Sequence, residues 1–214
     1  MSGIIAQNTL LSSGLIKSPA AGGAWTFIKK LTASGSSTLS FVDGASDVVL
    51  DSTYSEYLFT FKNIHPSEGN GGPDFEFNVS IDSGSNYNVA KTTTFFRAYH
   101  YENDSVDLGV SYSAGDDLAQ GTGFQGFIEG GVSNDNDSGL GGTLTIYNPS
   151  DTTFVKHFTS TVSLQKLPST TASLLMNCFI AGYANTTSAV DAVQFKMSAG
   201  NIDLGDICLY GLTT

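Results

Sequence analysis

Charge is what this chain has least of. Asp, Glu, Lys and Arg make up only 14% of its 214 residues, against roughly 25% in ordinary globular domains. Helices usually carry Lys and Glu on their outer face, so the shortfall argues against a helix-rich protein. Two cysteines, Cys178 and Cys208, are too few for a disulfide scaffold, and with no neighbouring His or Cys they make no zinc site. Each lies in an apolar run, which reads as a buried free thiol, and pairing stays open because it depends on whether their strands are neighbours. No stretch approaches the ~18 consecutive apolar residues of a membrane span. The start, Met-Ser-Gly-Ile-Ile-Ala, lacks the basic residues and long apolar core of a signal peptide. The expectation is a protein made in a cytoplasm, with no membrane partner.

Basic residues are the scarcest of the charged ones. Nine Lys and Arg face 20 Asp and Glu, for a net charge of −11. Such a surface repels phosphates, so no nucleic-acid partner is expected. The hydrophobic fraction is nonetheless 40%, with 11% aromatic residues, enough for a core and too much for a disordered chain.

Strand signals run almost continuously from residue 24. Phe75-Glu76-Phe77-Asn78-Val79-Ser80-Ile81 alternates strictly; it predicts Phe75, Phe77, Val79 and Ile81 in the core and Glu76, Asn78 and Ser80 exposed or at a rim. Near the C-terminus Val193, Phe195 and Met197 oppose Gln194, Lys196 and Ser198, and Gly200 and Gly205 bracket a turn. Apolar runs at residues 57–61, 94–101, 142–148, 153–162, 172–183 and 207–210 continue the pattern, separated by Gly-, Asn- and Asp-rich turns. No segment of 12 residues keeps a 3.6 period; residues 116–120 hold one short helix at most. The pattern predicts an all-β chain, a jelly-roll-like antiparallel β-sandwich over residues 24–214. Residues 1–23 read as an extended arm. Ile4, Ile5, Leu10, Leu11, Leu15 and Ile16 stand there with a single charge, Lys17, which suits an anchor that docks on a partner.

Chemistry is sparse. Asp135 and Asp137, in the turn at residues 134–139, offer hard oxygen ligands and are the weak candidate for a calcium site. The position an EF-hand fills with Glu is Ile146, so that motif fails and no metal or other cofactor is expected. His65, His100 and His157 lie in or beside strands without a recognisable nucleophile. The run Gly121-Thr122-Gly123-Phe124-Gln125-Gly126 lacks the Lys and Ser/Thr of a phosphate loop and reads as a bent strand. Tyr87, Tyr99, Tyr101 and Tyr112 offer flat rings on which a sugar could stack. No catalytic residue emerges, so the chain reads as a non-enzyme.

The ending carries a resemblance. Ser198-Ala199-Gly200-Asn201-Ile202, then Gly205, then Ile207-Cys208-Leu209-Tyr210-Gly211 resembles the close of a family of tailed-phage virion structural proteins, common in marine phages, with an SGNI…G…LYG motif. Further blocks similar to that family are Trp25-Thr26-Phe27-Ile28-Lys29-Lys30-Leu31 followed by Ser40-Phe41-Val42-Asp43-Gly44, residues 57–63 with His65-Pro66, residues 134–137, 142–145 and 148–149 with Phe158, and Gly182-Tyr183 with Val193-Gln194-Phe195. The resemblance implies a virion structural protein. On that footing the expected role is capsid decoration or cementing, with the major capsid protein or other virion proteins as partners and self-association in which a trimer is favoured. The alternative is a tail-associated jelly roll that binds host glycans.

Overall fold

The computed structural model describes residues 23–69, 72–104, 108–166 and 173–212. The expected anchor residues Ile4, Ile5, Leu10, Leu11, Leu15 and Ile16 lie outside that range. Among the described residues there is no helix. Residues 116–120, the one stretch allowed a short helix, form bends, followed by a bridge from Gly121 to Lys91.

The strands are β1 (Trp25–Ser36), β2 (Leu39–Val42), β3 (Glu56–Pro66), β4 (Phe75–Ser80), β5 (Lys91–Tyr101), β6 (Gly109–Tyr112), β7 (Gln125–Gly126), β8 (Gly139–Tyr147), β9 (Lys156–Lys166), β10 (Leu174–Ala184), β11 (Ala192–Met197) and β12 (Ile202–Leu212). Eight form one sheet in the order β1-β12-β3-β8-β9-β10-β5-β6, and four form a second in the order β2-β11-β4-β7. Every strand pairing is antiparallel. The architecture is thus an all-β antiparallel sandwich, consistent with the jelly-roll-like expectation.

Alternation builds it. Along β9 the inward positions are Phe158, Ser160, Val162 and Leu164, and the residues between them are exposed. The two sheets bury their apolar faces on each other, because neither face is stable in water alone. Aromatic rings fill the gap. Phe61 of β3 meets Phe75 of β4 edge-on at 5.2 Å, and Phe77 of β4 meets Phe158 of β9 at 5.2 Å. Phe41 and Phe195 pack on Phe59 at 5.3 Å each. Edge-to-face rings suit the aromatic quadrupole.

The alternating segment is half as expected. Phe75, Phe77 and Val79 are buried, but Ile81 is 43% exposed, because β4 ends at Ser80 and the chain turns there. Asn78 and Ser80 are fully buried instead of exposed. Loops fold across the outer side of the small sheet, and Asn78 Nδ2 donates to the carbonyls of Tyr87 (2.7 Å) and Thr122 (3.0 Å) in those loops. Ser80 Oγ donates to Asp82 and accepts from Gly84 N. Glu76 is half-buried and pairs with Lys196 at 2.9 Å.

The C-terminal hairpin also sharpens. Gly200 (φ 67) lies in the turn between β11 and β12, while Gly205 (φ 125) sits inside β12 at a bulge rather than closing the turn. A Cβ on Gly205 would come within 2.7 Å of the Asn63 carbonyl, so only glycine lets β12 approach β3 there. Cys178 is buried and Cys208 half-buried, and both are free. They stand on β10 and β12, with β3, β8 and β9 between; at ~4.8 Å per strand they are too far apart to bond. Burial pushes the Cys178 thiol up to about 12.

Candidate docking face

Cross-strand partners share a face of the sheet, so register and burial together assign every outward residue. On β9 these are His157, Thr159, Thr161, Ser163 and Gln165. Opposite them on β10 stand Tyr183, Ala181, Phe179, Asn177 and Leu175. β5 adds Thr92, Thr94, Phe96, Ala98 and His100, and β6 adds Val110 and Tyr112. On the other side, β8 contributes Gly139, Gly141, Thr143, Thr145 and Tyr147. None of these positions is Asp, Glu, Lys or Arg. Five adjacent strands of an acidic protein thus present a face without a formal charge, apart from what His100 and His157 gain on protonation.

The apolar part of this face gathers toward β6, the free edge of the sheet. Phe96 and Phe179 pair directly and their rings stack at 4.8 Å with planes 10° apart. Val110 is 73% exposed, Tyr112 57% and Leu175 53%. Hydroxyl-bearing residues flank them on β9 and β8. Carboxylates stand at the rim: Tyr112 donates its hydroxyl to Asp117, and Asp104 pairs with His100 at 3.5 Å. Beside Ala181, whose methyl leaves space, the face dips into a depression of about 310 Å³ edged by Thr92, Thr94, His157, Thr159 and Tyr183. The His157 and Tyr183 rings lie 5.8 Å apart.

The four candidate glycan tyrosines do not form one surface. Tyr112 is on the outer face. Tyr99 and Tyr101 point inward on β5 and pack against the core, with the Arg97 guanidinium 5.2 Å from the Tyr99 ring. Tyr87 sits in the loop whose carbonyl binds Asn78. The outer ring at the depression is Tyr183, which stands in an apolar run at 172–183 whose sequence does not mark it as a glycan contact.

Asp135 and Asp137 are exposed. Their turn borders a cleft of about 700 Å³ between it and strands β1, β3 and β12, but the lining side is Asn134, Asn136 and Ser138. The Asp135 carbonyl accepts from His65 Nε2 at 3.0 Å. Among the described residues no group of three or more His, Cys, Asp or Glu converges as a metal site.

Inside the sandwich, Lys91 is fully buried. Its Nζ donates to Asn78 Oδ1 at 2.6 Å and to the Val89 carbonyl at 2.9 Å. Burial without a carboxylate partner brings its pKa down to about 8. This group ties β5 to β4 and to the loop before β5.

Comparison with known proteins returns no matching family model, no matching curated protein and no matching solved structure.

Proposed function

We propose that this chain is a non-enzymatic structural protein of a bacteriophage virion, a decoration or cement protein that stabilises the head through the major capsid protein and through copies of itself. The observation that carries the reading is the charge-free outer face of β8-β9-β10-β5-β6. A face meant only for water gains solubility from Lys and Glu. A face meant to be covered loses free energy for every charge it must desolvate. The sequence resemblance to tailed-phage virion proteins points the same way. The fold suits the task, since two sheets joined by a continuous aromatic core form a well-packed block. Cryo-EM of particles carrying the protein tests the proposal. Density following the capsid lattice over the whole head supports it; density confined to the tail refutes it.

The second reading is a tail protein that binds host glycans. The depression beside Tyr183 favours it, because aromatic rings and neutral hydroxyls are the groups that recognise an uncharged sugar. Titrating methyl glucoside and methyl galactoside into the labelled protein tests this. Saturable NMR shifts at Gln120 and Asn185, whose side chains join at 2.6 Å beside Tyr183, with loss in Tyr183→Ala, support it. Unmoved resonances refute it.

A further inference from the structure

We infer that the charge-free outer face is covered by the same face of a second copy of this chain, in an isologous pair about a two-fold axis. The inference rests on the reading of the protein as an assembly subunit and names what one of its surfaces binds.

Three observations select the occupant. The first is charge. At −11 the chain repels its own copies, and covering any carboxylate without a counter-charge is costly. When this face meets itself, none of its outward strand residues brings a formal charge into the contact on either side, and the Asp104 and Asp117 carboxylates lie at its rim. A trimer of the kind anticipated needs head-to-tail contacts, which would set this face against a different surface of the chain. The second is area. Strands lie ~4.8 Å apart and rise ~3.3 Å per residue. β8 of 9 residues, β9, β10 and β5 of 11 each and β6 of 4 make a face of roughly 700 Å², close to the ~800 Å² each partner buries in a standard interface. The third is the anchor. The stacked Phe96 and Phe179, with Tyr112, Val110 and Leu175 beside them, form an exposed apolar cluster flanked by short hydroxyl side chains. That is the arrangement of a hot spot with its surrounding water-excluding contacts. Short Thr and Ser side chains elsewhere let two sheets approach closely.

Sedimentation velocity on the full chain, over a concentration series, tests the pairing. The wild type is expected to run as a dimer. Thr161 is exposed and lies directly opposite Phe179, so Thr161→Glu places like charges in the contact without touching the core. It is expected to weaken the dimer at least ~100-fold, with an unchanged circular dichroism melt as the control for folding. Thr161→Lys does the same alone, and an equimolar mixture of the two variants recovers the dimer. A wild type that stays monomeric, or a Thr161→Glu chain that pairs like wild type, overturns the inference. So does a dimer that survives Thr161→Glu and is lost on deleting residues 2–18. Capsid binding is measured separately on the same proteins. A chain that pairs but never binds capsids leaves this inference standing and refutes the decoration reading; one that binds capsids but never pairs does the reverse.

Discussion

The two halves of the outer face of the eight-stranded sheet share one backbone and one solvent, yet differ in chemistry. On β1, β12 and β3 the outward residues include Lys30, Asp206 and Lys62, and Lys30 reaches Asp206 at 3.4 Å. The Thr32 hydroxyl, and then the Lys30 ammonium, hold the Asp206 carboxyl below the usual carboxylate range. This half carries an exposed ion pair, which adds little stability, beside the exposed Phe27, whose ring meets Tyr210 at 5.6 Å. From β8 to β6 the charges stop. Strand propensity does not explain the change, because both halves are strands. Folding does not explain it either, because the sandwich needs only the inner alternation, which both halves have. On the reading proposed above, the requirement comes from outside the chain: the charge-free half is the one that a partner covers.

The comparison is tested first against the inner face, where the largest effect is expected. Phe77 is fully buried and meets Phe158 of β9. Phe77→Ala should lose about 3–5 kcal/mol in urea unfolding, as cavity formation in a packed core requires. A loss under about 1 kcal/mol would show that the aromatic core does not hold the sheets together.

The buried ammonium gives the next effect. The folded pKa of Lys91 is about 8, below its ordinary value of 10.5. Below pH 8 both folded and unfolded chains hold the proton, and the penalty of burying the charge is present in full. Between about 8 and 10.5 the folded chain releases the proton while the unfolded chain keeps it, so stability rises with pH. The rise amounts to about 3 kcal/mol. Lys91→Met should remove that rise from the stability-versus-pH curve, and a curve unchanged from wild type would contradict the assignment.

A smaller loss is expected from the polar tie on the small sheet. Asn78→Ala leaves the Tyr87 and Thr122 carbonyls and Lys91 Nζ short of a partner and should cost about 2 kcal/mol. Hydrogen exchange should quicken in the loops at 82–90 and 118–124 before it quickens in β9. Uniform quickening would mean that Asn78 does not hold those loops locally.

The smallest effect sits one residue from the core. Thr159 follows Phe158 on β9 but points outward. Thr159→Glu should change protomer stability, measured under conditions where the chain is monomeric, by no more than about 0.5 kcal/mol. A larger loss would mean that the outer face is coupled to the fold after all.

Much of this was legible in the sequence, for a physical reason. Alternation at residues 75–79 and 193–197 reports which side chains face the core, since the strand period is two wherever the backbone pairs. The fate of Asn78 and Ser80 was hidden, because their burial comes from loops distant in sequence, and a polar residue under a loop alternates like one in water. Tyr99 and Tyr101 misled in the opposite sense: as aromatics they suggested a surface, but their odd-numbered positions on β5 share the inward side with Phe95. The charge-free face had a sequence signal that passed as composition. Strands at 91–101, 139–147, 156–166 and 174–184 fill their outward polar positions with uncharged residues such as Thr, Ser, Asn and His, while Lys91, Arg97, Lys156 and Lys166 fall on the inward side. Only strand order shows that these four are neighbours and that their uncharged sides form one surface.

The most direct measurement is a cryo-EM map of particles that carry the protein, at a resolution that separates β-strands. The account predicts another subunit packed over Thr161, Phe179 and Phe96, with the Lys30–Asp206 half left open to solvent. A map in which the β8-to-β6 face is bare in every copy, while the charged half makes the contacts, would contradict it.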